Sequence, residues 1–321
     1  MNGDVAVGSA TISRRSTRFR RAEEALWRAY GLRPVERYVD LPRPRLRLRV
    51  LEIGTGRPIL LVHGTVGPAA WAPLVEALPG AGRFIVLDRP GWGGSDATDF
   101  GRHPDYHAVA ADILAGVLDG LEIDRAAVIG GSIGDVWALS LAEHDRARVD
   151  RLVLLGPGPL RAEVPAPPVV ARIASPLGAL VVRLPMTASI ARSMLSSSGH
   201  AASLAAGRIP DALLDYRVAL SNDTAAMRHE RDMIRAVLRG RGWRPDLPFG
   251  DETLGRIATP TLFLYGTNDG MGDVATWRRF AAAMPNARLE VVEGAGHMVW
   301  FDEPRDVASR INRFLTAGGV A

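Results

Sequence analysis

A single serine among glycines, between a strand-like run and a helix-like run, limits what this chain can fold into. Residues 126–135 read AAVIGGSIGD. Ala126, Ala127, Val128 and Ile129 make a short apolar run of the kind that suits a strand buried on both faces. Residues 136–142, VWALSLA, read as a helix. Between them the small-x-Ser-x-small pattern fits a nucleophile elbow, which strains the backbone at the serine and tolerates only glycines beside it. In such a turn the Ser132 hydroxyl projects away from the sheet, and the Ile133 N–H faces any oxyanion formed there. The bland alternative is a glycine-rich connection with an incidental serine, since five-residue patterns of this type recur often.

Composition removes several chemistries. All 39 basic residues are arginine, and the absence of lysine excludes Schiff-base mechanisms, pyridoxal-phosphate catalysis included. With no cysteine there is no disulfide, thiolate nucleophile or zinc–cysteine site. A length of 321 residues, 47% of them hydrophobic and 23% charged, suits one large α/β domain with an insertion, or two small domains. No run approaches the roughly 18 apolar residues of a membrane span, and the N-terminus lacks the apolar core of a signal peptide. A soluble, cytoplasmic protein is the expectation.

Along the chain, residues 1–17 read as a disordered tail and 18–30 as a helix, with the arginines at 14, 15, 18, 20 and 21 forming a solvated charge run. Residues 35–53 alternate, Leu46, Leu48 and Val50 against Arg45, Arg47 and Arg49, which predicts a half-exposed antiparallel pair. Buried strands are predicted at 59–62, 84–87, 126–129, 152–155, 261–265 and 288–292, with helices at 71–78, 106–121, 274–284 and 305–315 between and after them. Strands and helices in this rhythm mean right-handed crossovers and a mostly parallel sheet. The rhythm stops between 159 and 258, where only helical patches occur, at 173–184, 190–195, 212–220 and 224–238.

A serine nucleophile needs a base and a group that orients the base. Asp269 follows the predicted strand 261–265, and His297 follows the next, so both belong to the carboxyl edge of the sheet with Ser132. Asp269 could instead be a helix cap, and Asp273 lies close enough to compete for its role. His103, His107, His144, His200 and His229 have no motif around them and read as surface residues.

His63-Gly64, the loop 88–95, Gly130–Gly134, Gly266–Asp269 and Gly296-His297 together resemble the α/β-hydrolase family, from His63 to the final helix. The resemblance implies a mostly parallel twisted sheet flanked by helices. It divides the chain into a core of 18–158 and 259–321 and an all-helical lid at 159–258. It also implies Ser132 as nucleophile, His297 as base and then acid, Asp269 as the orienting carboxylate, and Thr65 and Ile133 as oxyanion-hole donors. His63 is structural in that family. Asp135 stands where many relatives have glycine, and either caps the following helix or turns a carboxylate into the site. The loop HGTVGPAAW, residues 63–71, partly resembles the C–C bond hydrolases of the family.

The first expectation is a serine hydrolase that cleaves an ester, lactone or related acyl bond through an acyl-enzyme. The alternatives are a C–C bond hydrolase on the same residues, and a non-hydrolytic scaffold that binds a ligand or closes a ring. Trp137, Met186, Met194 and Trp300 are the candidate substrate-binding residues, although at helical spacing the lid's Leu177, Leu180, Val181, Leu184, Met186, Met194 and Leu195 are more often lid core than pocket wall. No Walker or dinucleotide fingerprint is present, so neither cofactor nor metal is expected, and the partner is a small apolar acyl compound rather than nucleic acid or membrane.

Overall fold

The computed structural model describes residues 4–240 and 242–317, with side chains from Thr17 onward. Among the described residues, eight strands form one sheet. They are β1 (Val35–Pro42), β2 (Arg45–Ile53), β3 (Pro58–Val62), β4 (Arg83–Leu87), β5 (Ala126–Ser132), β6 (Val149–Pro157), β7 (Thr261–Gly266) and β8 (Ala287–Val292). Their spatial order is β1-β2-β4-β3-β5-β6-β7-β8. β1 and β2 pair antiparallel, with Val39 opposite Leu48, and β2 runs antiparallel to β4. The other neighbours are parallel.

Alternate side chains serve opposite faces, as the pleat requires. Leu60, Val62, Ala126 and Val128 enter one core layer with Ile113, Leu114, Val136 and Trp137. Ile59, Leu61, Ala127 and Ile129 enter the other, with Leu26, Trp71, Trp300 and Ile311. The helices Tyr106–Gly120 and Ile133–His144 therefore cover one face, and Pro304–Thr316 the opposite one.

Two details differ from the alternation read in the sequence. Arg49, expected in solvent, is buried at 2% exposure because three carboxylates meet it. Glu23 and Glu36 approach to 2.6 and 2.7 Å and Asp88 to 3.0 Å, tying the first helix and β1 to the loop after β4. That helix spans Asp4–Ala29, well before the start expected at residue 18; the stretch has no proline to stop it, while residues 1–3 lie outside the described residues.

Between β6 and β7 the chain forms short helices, the longest being Asp211–Asp223 and Ala226–Val237. The insertion is not entirely helical. Leu238–Arg239 pairs with Gly242–Trp243, the reversal starting at Gly240 with φ +61°. Leu177, Leu180, Val181 and Leu184, expected inside the insertion, are exposed. The helix here, Gly178–Val181, is a single turn that holds only Leu180 and Val181 of the four and is too short to bury a full apolar stripe. Among the described residues no helix is long and apolar enough to cross a membrane.

Candidate active site

Ser132 ends β5 at φ +58° and ψ −123°, a backbone that residues with a side chain rarely adopt. Glycine makes the turn possible. A Cβ on Gly134 would stand 2.0 Å from the Val62 carbonyl oxygen, so only glycine lets the helix Ile133–His144 start against the end of β3. The β5–β6 ladder slips between Gly131 and Ser132, so that Ser132 faces Pro157 and Gly156 is passed over. Gly156 has φ +64°, and a Cβ there would meet the His297 carbonyl oxygen at 1.8 Å. The irregularity thus draws the end of β6 against the loop that carries His297.

His297 Nδ1 lies 2.8 Å from Asp269 Oδ2. The other carboxylate oxygen accepts the Met271 N–H at 2.9 Å, and the Tyr265 hydroxyl donates to the Asp269 carbonyl at 3.0 Å. An ionised carboxylate only accepts, so His297 donates through Nδ1 and keeps Nε2 as a base. Burial by itself lowers the imidazole pKa. The Asp269 charge and hydrogen bond outweigh it and hold the group above its ordinary value. Asp273 plays the other role: exposed, it caps the helix Val274–Ala282 by accepting the Thr276 N–H at 2.7 Å.

The His297 loop is tethered from both sides. The His297 N–H donates to the Ser198 carbonyl at 2.9 Å, and the Gly296 N–H to Asp302 Oδ2 at 2.8 Å. Asp302 also holds His200, Nδ1 to Oδ2 at 2.7 Å, and His200 Nε2 accepts the Met298 N–H at 3.2 Å. His200 is therefore fully buried rather than a surface residue, because Asp302 gives its ring nitrogen a partner inside the protein.

Ser132 and His297 face one cavity of about 270 Å³, with Thr65 and Ile133 beside them. Among the described residues no hydrogen bond joins Ser132 Oγ to His297; such contacts commonly tighten only when the reacting molecule is seated. The roof comes from the insertion, as Val169, Val170, Ser197, Ser198, Glu230, Met233, Ile234, Val237 and Trp243. Among the described residues no arginine lines the cavity, and apart from Asp269 and His297 the one charged group lining it is Glu230. Glu230, Met233, Ile234 and Val237 recur at helical spacing, a face that the sequence displays but that its reading did not single out.

None of the four residues expected to bind substrate lines this cavity. Trp137 is core, its indole N–H donating to the Tyr106 hydroxyl at 2.8 Å. Trp300 is stacked on Trp71 at 4.4 Å between ring centres and donates to the Ala70 carbonyl, which places it behind Gly131. Met186 packs on the second core layer, bonded through its backbone to Asn222, and the Met194 carbonyl accepts from Ser197 and Ser198. Proximity in sequence to the serine and histidine misled here, because both tryptophans fill space behind the turn.

Asp135 is fully buried, yet it too is absent from the cavity wall. Its Oδ1 accepts the Leu155 N–H at 3.3 Å, and burial pushes its carboxyl well above the usual carboxylate range. It therefore neither caps the helix outward nor faces the serine hydroxyl, but sits between the ends of β5 and β6. His63 is buried as well, with Nδ1 at 2.6 Å from the Gly64 carbonyl and Nε2 accepting the Arg89 N–H. Burial, then the Arg89 charge, lowers its pKa well below the ordinary value, so it is a neutral hydrogen-bonding bracket.

Comparison with known proteins agrees with this architecture. A sequence model described as the alpha/beta hydrolase fold matches residues 57–304. A 2-hydroxy-6-oxononadienedioate/2-hydroxy-6-oxononatrienedioate hydrolase of Burkholderia vietnamiensis is 32% identical over 87% of this chain and 93% of its own. Carboxylesterase CesB of Bacillus subtilis superposes with a TM-score of 0.72 at 21% identity, over 95% of this chain and 99% of that one. The 2-hydroxy-6-oxo-6-phenylhexa-2,4-dienoate hydrolase of a Rhodococcus superposes with a TM-score of 0.73 at 19% identity, over 89% and 99%.

Proposed function

The chain belongs to the alpha/beta hydrolase fold family, and on that premise we propose that it is a serine hydrolase cleaving a carbon–carbon bond next to a ketone carbonyl in a small, mostly apolar molecule. The observation that carries the serine chemistry is the 2.8 Å contact of His297 with Asp269, at the mouth of a cavity that Ser132 shares. The choice of bond rests on the relatives. The hydrolase 32% identical to this chain is named for a hydroxy-oxo-dienedioate, and this supports the C–C alternative over the ester reading that composition and motifs put first.

In the proposed reaction Ser132 Oγ attacks the ketone carbon and its proton passes to His297 Nε2. The backbone N–H groups of Thr65 and Ile133 receive the oxyanion, a form of stabilisation commonly worth several kcal/mol. Collapse breaks the C–C bond, and the leaving carbon takes the proton from His297, giving an acyl-enzyme and a C–H product. Water, deprotonated by His297, then releases the carboxylic acid and restores Ser132. The insertion acts as a lid that keeps bulk water from the acyl-enzyme.

The substrate is not carried over with the reaction. A dienedioate bears two carboxylates, and among the described residues no arginine lines the cavity. An uncharged substrate fits better, and the same residues would hydrolyse a neutral ester, the second reading. Both are tested with 2-hydroxy-6-oxo-6-phenylhexa-2,4-dienoate and its methyl ester. Benzoate release from the methyl ester, faster than from the free acid and lost in Ser132→Ala, supports the first reading. Methanol release alone supports the second, and no Ser132-dependent product from either compound or from neutral aryl esters would remove both.

A further inference from the structure

We propose that Glu230 is the polar anchor of this cavity and accepts a hydrogen bond from a hydroxyl group of the substrate, an inference that rests on reading the Ser132 cavity as the substrate site. Glu230 stands on the helix Ala226–Val237 and lines the cavity, although it is 2% exposed. Its two carboxylate oxygens have different fates. Oε2 accepts from Arg89 Nη2 and from the Trp92 indole N–H, both at 3.1 Å. Oε1 is equally buried and meets no partner among the described residues. A buried carboxylate oxygen without a donor is costly, and a hydroxyl on a molecule seated in the cavity that Glu230 lines would relieve that cost.

The surroundings define the matching group. Arg89 is always charged and only donates, so the pair it forms with Glu230 is neutral overall. What remains open is an acceptor without net charge to be balanced, which suits a neutral hydroxyl better than an ammonium and excludes a carboxylate. Arg89 Nη2 also donates to the Gly64 carbonyl at 3.2 Å, so the anchor is braced against the segment next to Thr65. Its position relative to Ser132 is therefore fixed by the core rather than by the insertion alone. Elsewhere the roof is mainly apolar, Met233, Ile234 and Val237 among it, so one hydroxyl would set the orientation of an otherwise greasy molecule.

The geometry dictates what an amide would do at this position. Two donors point at Oε2, so in Glu230→Gln the amide oxygen must take that place and the NH2 must turn to the cavity. The acceptor becomes a donor. The test is calorimetric binding to the Ser132→Ala protein of phenyl alkyl ketones of increasing chain length, ending in hydroxyl, methoxy or methyl. At one chain length the hydroxyl compound should bind at least about tenfold more tightly than the methoxy compound, and in Glu230→Gln that preference should disappear, because the new NH2 can donate to a hydroxyl and a methoxy oxygen alike. Glu230→Asp, which withdraws the carboxylate by one methylene, should keep the hydroxyl preference but move it to a longer chain. Equal binding of hydroxyl and methoxy ketones at every length, or the same ratio in Glu230→Gln, would overturn the proposal and leave Glu230 a mere link between insertion and core. The outcome is read without turnover, so a hydroxyl preference that Glu230→Gln removes, beside an inert wild-type protein, would sink the hydrolase reading alone.

Discussion

Asp269 Oδ2 and His297 Nδ1 stand 2.8 Å apart although 28 residues separate them in the chain. The contact exists because β7 and β8 are parallel neighbours, Tyr265 opposite Val291, so the loops that follow them leave the sheet side by side. The pairing fixes the imidazole's tautomer. Asp269→Asn should therefore lower kcat by about 10⁴ by favouring the wrong tautomer. Asp273→Ala should leave kcat/KM unchanged and cost about 1 kcal/mol of stability through the lost helix cap. Steady-state kinetics and thermal unfolding of the two variants check this, and the reverse ranking would move the orienting role to Asp273.

The acid limb of activity follows from the same pair. The Asp269 carboxylate holds the His297 pKa above the ordinary 6.5 or so. The base acts only when neutral, so kcat/KM should fall with decreasing pH from a midpoint above that value. The linkage to stability has a definite sign: the protonated pair stabilises the fold below the unfolded histidine pKa, and this is lost as pH rises through the folded one. A pH–rate profile with its acid midpoint below 6 or so would show that a different group titrates.

Removing the serine hydroxyl should separate chemistry from folding. Ser132→Ala should abolish turnover, as loss of a nucleophile costs many orders of magnitude, and keep the unfolding midpoint near that of the wild type. Ser132→Gly should be inactive and more stable by about 1 kcal/mol, because glycine adopts φ +58° without the strain serine bears. Residual activity of Ser132→Ala within tenfold of wild type would remove the residue from the mechanism.

Asp135 tests a buried carboxyl whose pKa is raised by its burial. The protonated form's contribution to stability is therefore complete below the unfolded carboxylate pKa and is lost as pH rises towards the folded one. Asparagine mimics the protonated acid without that loss. Asp135→Asn should gain stability relative to wild type as pH rises from 4 to 8 or so, with an unshifted pH–rate profile. A shifted acid limb would instead mean that the Asp135 charge reaches His297.

How much of this was legible depended on whether a residue's role was local. The strands at 59–62, 84–87 and 126–129 announced themselves by continuous apolar runs, and Ser132, Asp269 and His297 by turns rich in glycine after them. Arg49 and His200 were misread because their burial depends on carboxylates 26 and 102 residues away, Glu23 and Asp302. Cavity walls are less legible still. Trp300 is three residues from His297 and turns its ring to Trp71, whereas Glu230 is 98 residues from Ser132 and lines the same cavity. The 3.6-residue period placed Glu230 on a face with Met233, Ile234 and Val237, but no local signal said that the face looked at the serine.

The central claim, that His297 and Asp269 arm Ser132 as a nucleophile in this cavity, is tested most directly by intact-mass and peptide-mass measurement after exposure to diethyl p-nitrophenyl phosphate at neutral pH. The account predicts one diethylphosphoryl adduct per chain, located on Ser132, absent in Ser132→Ala and formed orders of magnitude more slowly in His297→Ala. A chain that stays unmodified, or an adduct that persists in Ser132→Ala, would contradict it.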